Sequence, residues 1–593
     1  MPHHITLDHI SYAHPGEPPL FTDLSAVFSA PLTGLIGDNG AGKTTLFRLI
    51  LGDINPSQGI ISTPPHIAYL PQDLGLSGHQ HLADIFGITK ILQALDALES
   101  GEYSPCLYDT IGDAWDIEER TLVALAEHGF GPALTTTDTQ ARRNLLMRPL
   151  STFSGGQTVT AALTALLYSD PEFILLDEPT NNLDSAAKAQ LFTTLEALPC
   201  PALIISHDRD LLERVHVIAE LHADHQGLAH LRLFEGNYST YRQALETEQQ
   251  AAQRRVTEAK NEARKAVRER AENQIKLDRN ARRGREFERS KRKPGMAMGL
   301  DKNSSERSAG KLHTAHESMV ADARAAVGEA QKNLRVQEKI YAELSQQPLP
   351  EGRKVLELHR ADSHRVSREI STVQQPTGVD SPHLPPNTTG GKSQRETSTE
   401  HPEHLILSGP EHLRITGANG SGKTTLLKAI AHSGDPGYRS PVQPTYRVEY
   451  CIEGAYVPQR ISLDPRLTLL QCVQQANPGV SEQRLRDQLA RLLFRRESVH
   501  RKTGDLSGGE RFRAAVAQVL LADRVPQLLM LDEPTNNLDI SSVDWLVQAL
   551  EAYTGALIVV SHDEDFCHRI RIDRTLNLST KTLGKEPFGE SAR

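Results

Sequence analysis

Two glycine-rich octapeptides, each ending in Lys-Thr, carry the first chemistry in this chain: Gly37-Asp38-Asn39-Gly40-Ala41-Gly42-Lys43-Thr44 and Gly417-Ala418-Asn419-Gly420-Ser421-Gly422-Lys423-Thr424. Glycines at this spacing let successive backbone N–H groups turn inward onto phosphate oxygens. The lysine adds positive charge at the terminal phosphates, and the threonine hydroxyl offers a ligand to Mg²⁺. Helices expected over Thr45–Leu51 and Thr425–Ile430 present the positive ends of their dipoles to the anion, with Thr45 and Thr425 in the first turn.

Each loop has the same partners downstream. The apolar runs Phe173-Ile174-Leu175-Leu176-Asp177 and Leu528-Leu529-Met530-Leu531-Asp532 place a carboxylate at a strand tip, where it can hold Mg²⁺ through water. The next residues, Glu178 and Glu533, are placed to orient or deprotonate an attacking water. The octapeptide from Asp177 to Asp184 recurs unchanged from Asp532 to Asp539. Another apolar strand leads into Ser206-His207-Asp208, and its counterpart into Ser561-His562-Asp563, so His207 and His562 are candidates to contact the γ-phosphate and fix the water. Gln72 and Gln459, each after a proline, are paired amides suited to sense Mg²⁺ and that phosphate. Ser154-Gly155-Gly156-Gln157 and Ser507-Gly508-Gly509-Glu510 stand at the starts of helical runs, where free N–H groups meet an anion. The chain therefore holds two copies of one nucleotide-hydrolysing module.

The elements that must position these groups are short apolar strands alternating with helical stretches: Leu32–Ile36, Phe173–Leu176 and Ala202–Ile205 in the first module, Leu413–Thr416, Gln527–Leu531 and Ala556–Val560 in the second. This pattern predicts an α/β fold with a largely parallel sheet. The first module is expected over 1–243 and the second over 403–593. Between them, apolar or alanine positions 252, 256, 259, 263 and 266, and then 319, 323, 326, 330 and 334, follow the helical period. Lys293-Pro294-Gly295 interrupts it. This predicts a long α-helical hairpin linker over 244–371, with its tip at 293–311 and its second helix, Thr314–Leu344, about 45 Å long. Residues 372–402, rich in Pro, Ser, Thr and Gly, read as a flexible linker. Gly390-Gly391-Lys392-Ser393 imitates a phosphate loop but follows no strand. The interval from Gln72 to Ser154 spans 82 residues, against 48 from Gln459 to Ser507. The 34 extra residues mark an arm-like insertion within 73–150 that includes Trp115; such an insertion is either surface elaboration or a docking arm.

Bulk properties narrow the class. No apolar run approaches the roughly 18–20 residues of a membrane span, and no secretory signal is visible at the N-terminus. The five cysteines (Cys106, Cys200, Cys451, Cys472, Cys567) form no CxxC pair. They fit neither a zinc site nor a disulfide framework, and suit a cytoplasmic protein. Net charge is −10, yet residues 276–311 hold 12 Lys and Arg against 5 Asp and Glu, a local +7 that leaves −17 elsewhere. A basic projection on an acidic body is an electrostatic footprint for nucleic acid, and equally that of a solvated charged hairpin.

Phosphate loop, Gln, Ser-Gly-Gly-(Gln/Glu), Asp-Glu and His, in this order and twice, resemble the motif set of ATP-binding cassette ATPases. Thr-Asn-Asn-Leu-Asp after Pro179 and Pro534 is close to the Thr-Asn-His-Leu-Asp of the ABC-F subfamily. Glu235-Gly236-Asn237-Tyr238-Ser239-Thr240-Tyr241, the charged hairpin and the insertion also resemble that subfamily. Leu405-Ile406-Leu407-Ser408-Gly409-Pro410-Glu411 is similar to ABC-F proteins of actinobacterial antibiotic producers, which protect ribosomes from drugs. The resemblance implies ATP and Mg²⁺ at two shared sites in a monomer whose cassettes pair. Lys43, Thr44, Gln72, Asp177, Glu178 and His207 would face Ser507–Gly509. Lys423, Thr424, Gln459, Asp532, Glu533 and His562 would face Ser154–Gly156. Asp38, Asn39, Ala41, Ala418, Asn419, Ser421, Gln157 and Glu510 complete the nucleotide-contacting loops. Tyr12, 25 residues before Gly37, matches the adenine-stacking aromatic. No Phe, Tyr or Trp lies between Thr377 and Thr416, so what stacks on adenine at site two is left open. The resemblance further implies a ribosomal partner. The hairpin would reach the peptidyl-site tRNA and rRNA, with Met296, Met298 and Leu300 near the peptidyl-transferase region, and the insertion would touch the ribosome near the exit site. The role would be translation factor or antibiotic-resistance protection protein. The rivals are an ATPase subunit of a transporter with a separate membrane partner, a DNA-acting cassette ATPase, and a nucleotide-gated scaffold.

Overall fold

Strands that are apolar at every position need cover on both faces, which parallel sheets flanked by helices provide. In the computed structural model, Leu32–Ile36, Phe173–Asp177 and Ala202–Ile205 are buried along their whole length. The structure describes residues 4–16, 18–72, 80–127, 130, 139–181, 183–223, 228–289, 318–329, 349–360, 404–433, 446–492, 494, 498–522, 524–536 and 538–578. The expected linker 372–402, the hairpin tip 293–311 and most of Thr314–Leu344 lie outside these residues. The chain divides into two compact units, Met1–Asn237 with Ile340–Arg593, and Tyr238–Lys339. Both cassettes fall in the first.

The strands of cassette one are β1 (Ile5–Ala13), β2 (Pro19–Phe28), β3 (Leu32–Ile36), β4 (Gln58–Ser62), β5 (Ile67–Leu70), β6 (Phe173–Asp177), β7 (Ala202–Ile205), β8 (Val217–Ala223) and β9 (Ala229–Glu235). They form one nine-stranded sheet in the order β4-β1-β2-β9-β8-β3-β7-β6-β5. The run β8-β3-β7-β6-β5 is parallel. Register aligns the strand tips, with Leu35 and Asp177 both opposite Ile205. The phosphate loop after β3, the acid pair at β6 and the Ser-His-Asp after β7 thus meet at the carboxyl edge of the sheet, where open α/β sheets place ligands.

Cassette two contains β10 (Lys354–Arg360), β11 (His404–Ser408), β12 (His412–Thr416), β13 (Tyr446–Cys451), β14 (Gly454–Val457), β15 (Leu528–Asp532), β16 (Ala556–Val560) and β17 (Arg574–Asn577). A parallel sheet β14-β15-β16-β12-β17 accompanies an antiparallel sheet β11-β10-β13. Asp532 and Ile415 both pair with Val560, which repeats the alignment of cassette one.

β10 corrects the domain boundaries. It lies inside 244–371, expected to be linker, yet pairs with β11 from Lys354↔Ser408 to His359↔His404. Its Val355, Leu356 and Leu358 are fully buried with Leu413 and Ile415 in one core. Forty-three residues, 361–403, separate the strand from its partner, so the two halves of the pair are not neighbours in sequence. The strand equivalent to β1, which carries Tyr12, is therefore β10, upstream of 377–416. His404 precedes the start of β12 by the same eight residues by which Leu24 precedes β3, and Leu24 pairs with Ile10. Tyr12 then corresponds to position 361, an alanine.

In the other unit, a 52-residue helix runs from Tyr238 to Arg289, beginning before the expected boundary at 243. Positions 252, 256, 259, 263 and 266 are its less exposed stripe, with Val256 buried, as the period predicts. The helical stretch 318–329 differs: Val320, Ala323 and Val327 are its less exposed positions, and Met319 is exposed.

The insertion is anchored by an antiparallel bridge, His81↔Pro149, matched by Thr468↔Lys502 in cassette two. These bridges enclose 68 and 34 sequence steps, so the whole excess lies between them. Helices Thr89–Glu99, Pro105–Ile111, Ile117–Glu127 and Thr139–Leu146 build a core of their own from Leu92, Leu95, Ile111, Leu122, Leu125 and Leu146. Buried Arg143 ties three of them. Its guanidinium donates to Glu118 at 2.5 Å, to Asp96 at 2.5 Å, and to both oxygens of Glu99 at 2.6 and 2.7 Å. Arg143→Met is expected to destabilise the insertion by about 3 kcal/mol, because buried Glu118 loses its counter-charge. Hydrogen exchange should quicken at amides of residues 89–127 and not in β3 or β6; unchanged protection in 89–127 would refute this.

Candidate nucleotide sites between the cassettes

Each phosphate loop turns into its helix, Lys43–Ile50 or Lys423–Ala431, through a glycine cap, Gly42 or Gly422, at φ 96° and 91°. Only glycine adopts this left-handed conformation at little cost, and as a cap it offers no side-chain acceptor to the first-turn N–H groups. Lys43 Nζ donates back to Gly37 O at 2.7 Å, and Lys423 Nζ to Gly417 O at 2.6 Å. Burial lowers both lysines' pKa, partly offset by Glu178 at Lys43 and Glu533 at Lys423. Thr44 Oγ1 donates to Asp177 and Thr424 Oγ1 to Asp532, both at 3.2 Å. Tyr456 donates to the other oxygen of Asp532 at 2.9 Å. The hydroxyl and the strand-tip carboxylate thus converge in each cassette as a divalent cation requires.

Glu178 and Glu533 sit at φ 50° and 47°, left-handed and strained for a non-glycine residue. Their N–H groups are fixed on Ile205 O and Val560 O, both at 2.9 Å. The carboxylates approach His207 Nε2 at 3.4 Å and His562 Nε2 at 3.6 Å. Burial raises both glutamates: Glu533 to about 7, against the pull of Lys423, and Glu178 further. Burial lowers both histidines, followed by the facing lysine, His562 to about 4. Neutral imidazoles therefore face high-pKa carboxyls in both cassettes.

The two sites are not identical. Both ring nitrogens of His207 and Nδ2 of Asn181 are buried without a hydrogen-bond partner. His562 Nε2 instead accepts from Lys423 Nζ at 3.1 Å. The unsatisfied groups at site one suit a buried anion lined by polar hydrogens. A cleft of about 420 Å³ there is lined by Asn39, Gly40, Gly42, Lys43, Thr44, Thr45, Gln72, Asp177, Glu178 and His207, and also by His14 and Leu20. Tyr12 is not in that lining: its ring meets His14 edge-on at 5.1 Å, and His14 forms the wall.

Contacts across the seam complete the sites. Asn39 N donates to Asp539 Oδ2 at 2.7 Å, while Asp539 Oδ1 caps its own helix through Ser542 N at 2.8 Å. Asp184 repeats the device, with Ala187 N at 3.0 Å and Asn419 N at a longer 3.4 Å. Burial would raise the pKa of Asp539, but hydrogen bonds from Ser542 and Asn39 outweigh it and hold the carboxylate low. Gly509 lies against both: a Cβ there would come within 2.8 Å of Ser542 Oγ and 3.5 Å of Asn39 Nδ2. The signature segment of cassette two therefore lies against the phosphate loop of cassette one. Arg209 spans the seam to Asp544 at 2.8 Å and to Asp565, whereas its counterpart Glu564 is held within its own cassette by Arg414.

Gln157 and Glu510, expected among the nucleotide contacts, cap their own helices. Their side chains accept from Ser154 N and Ser507 N at 2.9 Å, and the serine oxygens accept from N3, closing capping boxes. Each serine hydroxyl keeps its own hydrogen to donate. The S-x-x-Q/E spacing was a readable signal for this. The roles of Asp184, Asp539 and His14 had none of comparable strength.

The ABC transporter family matches residues 25–181 and again 402–536. The tylosin resistance ATP-binding protein TlrC of Streptomyces fradiae is 29% identical over 561 residues, covering 91% of this chain and 90% of its own. The energy-dependent translational throttle protein EttA of Mycobacterium tuberculosis is 26% identical over 590 residues, covering 95% and 89%. ATP-binding cassette sub-family F member 3 of Mus musculus is 26% identical over 558 residues, covering 90% of this chain and 65% of its own. Two ATP-binding cassette domains thus make the chain an ATPase, and its similarity to ABC-F proteins spans at least nine-tenths of its length. Among solved structures, the archaeal ribosome recycling factor aABCE1, in complex with the ribosomal stalk protein aP1, superposes with a TM-score of 0.51 at 15% identity over 96% of this chain and 87% of that chain. This likeness concerns the tandem-cassette fold alone. As an ATP-binding cassette ATPase the protein binds ATP in its cassettes, and no helix among the described residues is long and apolar enough to cross a membrane.

Proposed function

We propose that this ATPase acts in the cytoplasm on the ribosome, as a translation factor or as a protector against ribosome-directed antibiotics, with ATP-driven pairing of its cassettes controlling its stay there. The observation that carries the gating is the double use of Asn39, whose N–H meets Asp539 and whose side chain faces Gly509. A nucleotide on this loop would be held from both lobes, so ATP favours the paired state by its extra contacts there. Thr44, Gln72 and Asp177 would hold Mg²⁺ at site one, and Thr424, Gln459 and Asp532 at site two. The ion would neutralise charge on the phosphates and orient them. Lys43 and Lys423 would pair with the terminal phosphates, and the serines and glycines of the opposite signature would donate to them. Glu178 and Glu533 would take the proton of the attacking water, while His207 and His562 would hold the γ-phosphate. Cleavage removes the group gripped from both sides, and the cassettes part.

The ribosomal part rests on two supports. Relatives named for tylosin resistance and for translational throttling each align with at least nine-tenths of this chain. The 52-residue helix also runs into the stretch of local charge +7, suited to salt-sensitive attraction to RNA backbones. The helix follows β9 after only Gly236 and Asn237, so cassette motion passes to it through the chain. In the insertion, exposed Tyr103, Tyr108 and Trp115 offer stacking surface. The test is sedimentation of the protein with 70S particles in low salt, with ATP and turnover blocked by Glu178→Gln and Glu533→Gln. Co-sedimentation that weakens steeply with salt is expected. Protein left free of 70S particles, or recovered with membranes or duplex DNA instead, would overturn the proposal.

A further inference from the structure

We propose that the antiparallel sheet of cassette two carries a binding site for a divalent transition-metal ion, Zn²⁺ by preference, built from Glu357, His359, His404 and Glu449. The backbone explains why these side chains meet. β10 buries Leu356 and Leu358 completely, so Glu357 and His359 project from its other face. His359 pairs directly with His404 across β10 and β11, and their rings lie 4.2 Å apart, inclined by 32°. On the other side of β10 the register slips: Glu357 faces Tyr450, and Leu358 faces Val448. Glu449 is the extra residue of that bulge. Bulges re-aim side chains, and this one brings Glu449 Oε2 to 3.4 Å from His359 Nε2.

The donor atoms converge. Glu357 Oε1 lies 2.7 Å from His404 Nε2 and 3.6 Å from His359 Nε2, and these three atoms all lie within 4.8 Å of one another. The other oxygen of Glu357 accepts from Lys354, which fixes the carboxylate with Oε1 toward the imidazoles. Glu449 lies outside this three-residue cluster, and rotation of its half-exposed side chain would bring it in as the fourth donor; two imidazole nitrogens and two carboxylates then make an N₂O₂ set that tetrahedral Zn²⁺ accepts and that Mg²⁺ does not favour. Metal–ligand bonds of about 2.0–2.1 Å place neighbouring ligands of a tetrahedron about 3.3 Å apart. The separations of 3.4 and 3.6 Å are near that edge, and the 2.7 Å contact needs only a small opening. All four side chains keep some exposure, so an ion can enter.

None of these residues belongs to either nucleotide site. The ion would join three strands and close the 45-residue chain segment from His359 to His404. Clipping a loop of that length stabilises the folded sheet, and the ion's binding free energy adds to folding. The site is thus a structural staple for a cassette whose first strand is far from its partner in sequence.

Equilibrium dialysis of the full chain against Zn²⁺, in excess Mg²⁺ and without nucleotide, tests the assignment by metal analysis. The wild type should hold about one equivalent more than His359→Gln/His404→Gln, and Zn²⁺ should raise the melting temperature of the wild type alone. Equal Zn²⁺ content in the two proteins would overturn the proposal. An ATPase rate retained without zinc shows that the double variant is folded. If that rate is lost, Glu449→Gln, which leaves both imidazoles and Glu357 in place, should weaken Zn²⁺ binding at least about ten-fold; an unchanged Kd would overturn the site.

Discussion

Glu178→Gln combined with Glu533→Gln is expected to keep ATP binding while turnover falls by about two to four orders of magnitude, the usual worth of a positioned general base. The amide matches the carboxylate in shape, and both backbones are already fixed on Ile205 O and Val560 O. Lys43, Lys423 and the phosphate loops are untouched. Removing two negative charges beside the terminal phosphates should, if anything, tighten nucleotide binding. With ATP held and uncleaved, the contacts from Asn39 to Asp539 and Gly509 persist, so the paired form accumulates. Rapid phosphate release by the double variant, or failure to retain radiolabelled ATP, would sink the assignment of these glutamates. The single variants add a pH signature. In Glu178→Gln only site two turns over, and burial holds Glu533 at about 7. A base works when deprotonated, so kcat/KM should rise with pH and level off above about 7. His562, held at about 4, stays neutral throughout and adds no inflection. In Glu533→Gln the rise should lie at higher pH, because Glu178 is the more strongly raised of the two. The same groups act on stability in opposite senses. The raised Glu533 contributes stability below its ordinary range near 4.5 that is lost as pH rises through about 7. The lowered His562 contributes stability above 6.5 that is lost as pH falls through about 4.

Why these residues were legible from sequence, and others were not, follows from the range of the interactions. A phosphate loop, the helix after it and the acid at a strand tip are each specified by a few consecutive residues. Duplication then supplied a second reading of every motif. The parallel sheets followed from the unbroken apolar runs at Phe173–Leu176 and Ala202–Ile205. What stayed hidden depends on partners far along the chain. Asp539 ends a repeated motif, but its role appears only when Asn39, 500 residues earlier, donates to it. β10 alternates as a strand should, yet its partner begins 43 residues later and a helical hairpin precedes it. The left-handed glutamates show no trace in residue type, because glutamate is a poor guess for positive φ. His14 stands two residues after Tyr12, just past the end of β1, and residue type does not say which of the two lines the cleft. The metal cluster needs three strands and one bulge, none of which a linear motif records.

Asp539→Ser should break communication between the cassettes while leaving each of them folded. Serine is an equally good helix cap, so the Ile540–Glu551 helix keeps its N-terminal acceptor. The shorter side chain has one oxygen and cannot also accept from Asn39 N across the seam. A hydrogen bond to a charged group is worth about 1.5–3 kcal/mol, which lowers the paired population about ten-fold to a hundred-fold. ATP affinity of the separated lobes should be little changed, and ATPase activity should fall with the paired population. Asp184→Ser makes the same change at the other seam contact, where Asn419 N lies 3.4 Å away and is exposed. Its cost should be only a few-fold. Arg209 reinforces the difference, since it bridges the cassettes through Asp544 and Asp565 while Glu564, its counterpart, is retained by Arg414. Steady-state ATPase assays, with nucleotide-dependent cassette pairing followed by distance probes on the two lobes, read both variants. If the two serine variants lose activity equally, or if Asp539→Ser unfolds cassette two, the unequal seam described here does not operate in solution.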